Sequence, residues 1–190
     1  MKEGKLLVIS GPSGVGKTEV SMGLLSLSDL YSKSVSATTR KMRDGEVNGV
    51  DYFFISKEEF EEMQKKSQLL EFTNYNGNWY GTPRKFVEEV LEKGKVLILV
   101  IDVVGALNIK KMFPEAVMCF LNAESLEAIE KRLRNRKTDS EDSISGRLAV
   151  AKKELESSQL FDYVVMNKEG EISNTVQSID SIIKKLVSAE

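Results

Sequence analysis

Residues 11–18 read GPSGVGKT, the spacing G-x-x-x-x-G-K-[ST], whose chemistry is capture of a polyphosphate. Gly11, Gly14 and Gly16 let successive backbone N–H groups converge on an anion without Cβ collisions, and Pro12, Ser13 and Val15 complete the loop. Lys17 adds a point charge suited to the outer phosphates, and the Thr18 hydroxyl is placed to ligate Mg²⁺. A helix opening at Lys17 would add the partial positive charge of its N-terminus. The competing reading is a glycine turn that caps an ordinary helix. Asp102 ends the most apolar run of the chain, where a carboxylate would reach a metal through water; the same position also suits a helix N-cap.

A second group of residues lies between 34 and 83. Arg40 and Arg43 flank a tight turn in SVSATTRKMRDGEVNGVDYFF, and Tyr52 and Tyr80 add phenolic hydroxyls; together they suit a dianionic phosphate. An ionised Glu71 accepts hydrogen bonds but cannot donate, which matches the N1–H and N2–H₂ edge of guanine, and the hydroxyls of Ser36 and Thr82 would complete that edge. Further on, Arg132 and Arg136 lie four apart on one helix face and Arg147 follows a polar loop, so a closing lid would bring two of them onto a transferring phosphoryl group. The alternative is a charged helix face paired with Glu127, Glu130 and Asp139.

The elements that must position these groups follow from hydrophobic period. Leu6–Ser10 reads as a buried strand ending in the glycine loop, and Lys95–Asp102 (KVLILVID) is so continuously apolar that both its faces must be covered. Val117–Leu121 and Tyr163–Met166 read as further strands. Between them lie stretches of helical period: Val104–Met112, Leu126–Arg136 and Ile144–Leu160, with Arg134–Ser145 polar enough for a mobile loop. Ile172, Val176, Ile179, Ile183 and Leu186 recur at three- and four-residue intervals, predicting a closing amphipathic helix over Ile172–Val187. This βαβα alternation implies an α/β fold with a central parallel sheet between helices and ligands at the carboxyl ends of the strands. Ser34–Pro83 breaks the pattern, with alternation over Ser34–Thr39, strands at Tyr52–Ile55 and Leu70–Tyr75, and a helix at Lys57–Lys66; it reads as a small inserted α+β subdomain.

Composition narrows the chemistry. The 190 residues are enough for one compact domain. With 27 basic and 29 acidic residues, net charge −2, there is no overall positive field for nucleic acid or an anionic membrane. No apolar stretch approaches the ~20 residues of a membrane span, and no signal-peptide core leads the chain, so a soluble, cytoplasmic protein is expected. The single cysteine, Cys119, sits in the apolar run AVMCFL and reads as a buried structural thiol. The absence of histidine excludes histidine triads, imidazole bases and His-ligated zinc.

Over its whole length the sequence resembles guanylate kinases, P-loop nucleoside monophosphate kinases. The likeness is carried by GPSGVGKT, SVSATTRKMRDGEVNGVDYFF, LLEFTNYNGNWYGTP, the Arg136/Arg147 pair and Val164-Val165-Met166-Asn167. The resemblance implies a three-layer P-loop sandwich with core 1–33, 84–124 and 160–190, a GMP-binding insertion 34–83, and a lid at about 125–159. It implies ATP-dependent phosphorylation of GMP, and of dGMP, to the diphosphate in guanine nucleotide metabolism. ATP would lie on residues 11–18 with Mg²⁺ at Thr18, and on Asn167 at the adenine side; Lys17, Arg136 and Arg147 would be catalytic. Ser36, Glu71 and Thr82 would read guanine, Arg40, Arg43, Tyr52 and Tyr80 would hold the GMP phosphate, Glu46 would organise the arginines, and Asp102 would serve the GMP side and a metal-bound water. ATP and GMP are then the partners, with no nucleic acid or membrane. Val100 stands where the family usually has an acidic residue, Val104 where it has Gln, and Glu19 where a small hydroxyl residue is usual. Guanylate-kinase-like scaffold modules typically lose the loop lysine or the lid arginines; this chain keeps Lys17, Arg136 and Arg147.

Overall fold

The computed structural model describes residues 4–135 and 141–188. Strand β1 (Lys5–Ser10) lies at the centre of a five-stranded parallel sheet. Its neighbours are β7 (Val96–Val100) on one side and β8 (Val117–Asn122) on the other, with β2 (Tyr31–Lys33) and β9 (Tyr163–Met166) at the edges. Alternation along β1 divides the core in two. Leu7 and Ile9 point into a cluster closed by α1 (Lys17–Leu27), α5 (Leu126–Asn135), α6 (Glu141–Glu156) and α7 (Ile172–Ser188), through Val20, Leu24, Ile129, Leu133, Ile144, Val176 and Ile179. Leu6 and Val8 point the other way, onto α3 (Arg84–Glu92) and α4 (Val103–Met112), through Val87, Val90, Ala106 and Ile109. Both faces are therefore covered, as the unbroken apolar strands require.

A second, four-stranded sheet in the order β4-β3-β6-β5 is built from β3 (Ser36–Thr38), β4 (Tyr52–Phe54), β5 (Leu69–Tyr75) and β6 (Asn78–Pro83). Asn76 and Gly77, with φ of 50° and 78°, make the two-residue turn between β5 and β6, the positive-φ pair that matches hairpin twist. Helix α2 (Lys57–Lys65) starts at a capping box in which Ser56 and Glu59 each accept the other's backbone N–H. Its Phe60 fills a small core with Ala37 and Leu69, while Leu70 of the next β5 position packs into the main core. Strand β5 thus ties the second sheet to the first.

Three elements add to the sequence reading: the edge strand β2, the helix α3 and the strand β6. Two others are corrected. Helix α6 begins at Glu141, not Ile144, and stops at Glu156, giving way to a 3-10 turn at Ser157–Leu160. Its first turn is polar, so apolar period could not mark it; Ile144, Leu148, Ala151 and Leu155 carry the periodic face. The polar stretch 134–145 is accordingly not one long loop: Arg134 belongs to α5 and pairs with Glu130 and Glu141. Arg136 and Asp139 lie outside the described residues. No described helix is long and apolar enough to cross a membrane. Cys119 is buried and its thiol is pushed up to about 12 by desolvation, so it is inert.

Candidate functional site

The carboxyl end of β1 runs into the glycine loop, whose shape is dictated by what lies behind it. A Cβ at Gly11 would sit 2.3 Å from the Leu121 carbonyl oxygen, and one at Gly16, where φ is 97°, would sit 2.6 Å from Asn167 Nδ2. The loop is propped from that same side. Asn167 Nδ2 and Arg132 both donate to the Val15 carbonyl, at 2.8 and 3.2 Å; Arg132 also donates to the Asn167 carbonyl at 2.9 Å, and Asn167 Oδ1 accepts the Thr175 hydroxyl at 2.9 Å. Lys17 Nζ folds across the loop to the carbonyls of Gly11 and Pro12, at 2.6 and 3.1 Å.

In front of the loop lies a cavity of about 400 Å³ that joins it to the second sheet. Ser13, Gly14, Gly16, Lys17 and Thr18 of the loop and α1 line it together with Ser36, Arg40, Arg43, Glu46, Tyr52, Glu71 and Tyr80 of the inserted segment, and with Val100, Asp102, Arg147 and Glu154. Gly11, Pro12 and Val15 are buried and do not line it. Asn167 is also buried, and its side chain holds the cradle through the loop backbone and Thr175. Thr82 is buried behind Glu71.

The basic wall is preassembled. Arg40 makes a two-pronged pair with Glu46, at 3.0 and 2.7 Å, and Glu46 Oε2 also accepts the Arg43 backbone N–H at 2.7 Å. The Arg40 guanidinium lies over the Tyr52 and Phe54 rings at 5.4 and 5.5 Å. Burial opposes its charge, but the bonds to Glu46 and Tyr80 hold its pKa above the ordinary value. Burial likewise works against ionised Glu46, and Arg40 together with the Arg43 N–H overcome it, holding that carboxyl below the usual range. Tyr52 and Tyr80 meet edge to face, with ring centroids 5.9 Å apart.

Glu71 is the acidic counterpart. Only 5% exposed, it accepts the Thr82 hydroxyl at Oε1 (2.7 Å), while Oε2 has no partner. Gly105 at the start of α4 makes room for it, since a Cβ there would lie 2.8 Å from Oε2. Desolvation pushes its pKa up to about 7; the Thr82 bond opposes this and Asp102 adds to it. Asp102 is the N-cap of α4, the second of its two sequence readings. Its Oδ1 caps α4 by accepting the Gly105 N–H at 3.0 Å, and the residue also lines the cavity.

Thr18 and Asp102 offer hard oxygen donors to the same space, and among the described residues no cluster of three or more acidic or sulfur ligands exists. That donor set fits a magnesium ion completed by water and phosphate oxygens, not an all-protein metal cage. The sequence reading missed Lys33, Ser34, Thr73, Tyr75 and Glu154 on the cavity wall. Glu154 stands in the run AKKELE, which by pattern is an ordinary charged helix face.

A family model for guanylate kinase matches residues 3–186. A guanylate kinase of Bacillus anthracis is 49% identical over 173 residues, covering 90% of this chain and 84% of that protein. One of Halalkalibacterium halodurans is 46% identical over 189 residues, covering 100% of this chain and 90% of the relative. Among solved structures, a guanylate kinase from Anaplasma phagocytophilum superposes with a TM-score of 0.81 at 34% identity, over 97% of this chain and 86% of the other. A shikimate kinase from Bacteroides thetaiotaomicron, at 14% identity and a TM-score of 0.52 over 95% of this chain and 98% of that one, shares the fold alone.

Proposed function

Because this chain belongs to the guanylate kinase family, we propose that it transfers the γ-phosphoryl group of ATP to GMP, and to dGMP, giving the diphosphate and ADP. The observation that carries this is the single cavity in which a phosphate cradle faces both an arginine–tyrosine wall and a buried carboxylate with an unpartnered oxygen. ATP lies with its phosphates on residues 11–18, and GMP lies against the second sheet. Residues 34–83 are then the GMP-binding insertion and about 125–159 the lid. The reaction uses free nucleotides in the cytoplasm, with no nucleic-acid or membrane partner.

In-line transfer forms a bond from a GMP phosphate oxygen to the γ-phosphorus as the bond to the β-bridging oxygen breaks, and ADP leaves. The acceptor is already anionic, so no histidine base is required; positioning and charge neutralisation supply most of the acceleration. Arg40, Arg43, Tyr52 and Tyr80 orient the acceptor phosphate, with Glu46 fixing both arginines. Glu71, set by Thr82, accepts from the guanine donor edge, and Ser36 flanks it. Lys17 swings from the carbonyls of Gly11 and Pro12 to the outer phosphates. Arg147 reaches the transferring group from the cavity wall, and the family resemblance assigns the same role to Arg136, which lies outside the described residues. Thr18, with Asp102 through water, would hold Mg²⁺, which when bound neutralises charge on the β- and γ-phosphates. Arg132 and Asn167 keep the loop rigid, and Asn167 flanks the adenine side.

A coupled ADP-release assay with ATP, Mg²⁺ and each of GMP, AMP, CMP and UMP tests the reading. Turnover with GMP alone is expected. Folded protein that binds ATP but turns over none of the four would refute it.

A further inference from the structure

Helix α6 delivers a carboxylate to a cradle built for anions. Glu154 is 8% exposed and lines the same cavity as Ser13 and Lys17, where the Ser13 backbone N–H and the Lys17 charge both favour its ionised form. Its Oε2 is buried without a hydrogen-bond partner. An isolated buried acceptor of this kind costs stability unless something else uses it. Carboxylate and phosphate oxygens compete for the same donors, backbone N–H and lysine. We propose that Glu154 is a tethered anion that contests the cradle with the donor's terminal phosphate: in the empty protein it shares the cavity with the Ser13 N–H and Lys17, and the incoming phosphate must displace it. The proposal rests on the reading that residues 11–18 take the donor triphosphate.

The groups facing Glu154 set its pH behaviour. Lys17 comes from the loop and α1, Asp102 from the start of α4, Tyr75 from β5 and Arg147 from two turns earlier on α6, and Glu71 shares the cavity. Desolvation pushes the Glu154 pKa up to about 7; Lys17 and the Ser13 N–H pull it down and Asp102 pushes it further up. A phosphate arriving beside the carboxylate raises it again, so donor binding draws in a proton.

Glu154→Gln keeps the shape and the acceptor while removing the charge. A non-hydrolysable ATP analogue should bind this variant roughly tenfold more tightly than wild type at pH 8, where wild-type Glu154 is ionised, and with a smaller gain at pH 6. AMP, lacking outer phosphates, should show no gain. Thermal melting checks that the variant is folded. Independently of any variant, calorimetry of wild type at pH 7.5 in two buffers of different ionisation enthalpy should show proton uptake on analogue binding. Equal or weaker analogue binding by the folded variant at pH 8 would overturn the proposal, as would proton release by wild type. Failure of both folded proteins to bind the analogue would instead overturn the donor reading beneath it.

Discussion

Replacing Glu71 with Gln isolates the base-reading role of one buried group. In wild type, Oε1 accepts the Thr82 hydroxyl at 2.7 Å and Oε2 is left for the ligand. Glutamine keeps an oxygen for Thr82 but turns an NH₂ toward the guanine N–H edge, donor against donor. One charge-assisted hydrogen bond, about 1.5–3 kcal/mol, is lost and a buried donor is left unpaired. A total near 3 kcal/mol predicts a rise on the order of a hundredfold in the GMP Kd, with ATP affinity nearly unchanged. The pH dependence gives a second readout. With a pKa of about 7 in the empty protein, Glu71 is a ready acceptor only in its ionised form, so GMP affinity rises with pH through 7. At pH 6 the ionised fraction is about a tenth, so the wild-type Kd should be about tenfold above its alkaline plateau. The ratio of wild-type to variant affinity should follow that curve, which removes titration of the GMP phosphate from the comparison. Calorimetric titration of GMP from pH 6 to 8 measures both effects. Equal GMP affinity in the two proteins would refute the assignment.

Other sites give further expectations. Lys17→Ala should lower kcat on the order of a thousandfold, as it removes the positive charge that rests on the carbonyls of Gly11 and Pro12 at the mouth of the cradle; undiminished turnover would break the cradle argument. Gly105→Ala puts a Cβ 2.8 Å from Glu71 Oε2, so the carboxylate must shift off its Thr82 bond. The GMP KM should rise about tenfold while the ATP KM holds, by steady-state kinetics. Tyr31→Phe removes a buried hydroxyl that donates to Asp180 at 2.7 Å, leaving Asp180 to Lys184. The expected loss of roughly 1–2 kcal/mol lowers Tm by about 4 °C without affecting kinetics, by calorimetry.

The phosphate cradle is legible in sequence because its chemistry is compressed into eight consecutive residues, and β7 because a strand covered on both faces must be apolar throughout. Short elements carry too little pattern: β2 has three residues, yet its Tyr31 reaches α7 across 149 positions of sequence. The polar wall is harder still. Only the family resemblance singled out Glu46, since nothing in RDGEVNG shows that its carboxylate will take both Arg40 and the Arg43 N–H. Arg132 and Asn167 look like ligand contacts by type, and the structure sets both against the Val15 carbonyl. Glu154 is hidden for a different reason: burial is a property of where α6 lies, not of the residues beside it.

Glu71 and Glu154 give the cavity a symmetry that neither shows alone. Each is nearly buried, each keeps one oxygen unpartnered, each is pushed up to about 7, and Asp102 contributes to both shifts. Their ligands act on them in opposite senses. A guanine edge offers donors and stabilises ionised Glu71, releasing a proton; an outer phosphate offers negative charge and destabilises ionised Glu154, taking one up. Filling both halves of the cavity therefore leaves its proton count nearly unchanged, whereas filling either half alone does not. Since binding free energy near neutral pH includes the cost of that proton, each ligand alone is more sensitive to pH than the pair together. On the proposed roles, calorimetry near pH 7 should therefore show opposite proton changes for GMP alone and for the ATP analogue alone once the nucleotides' own titration is subtracted, and changes of the same sign would refute the pairing.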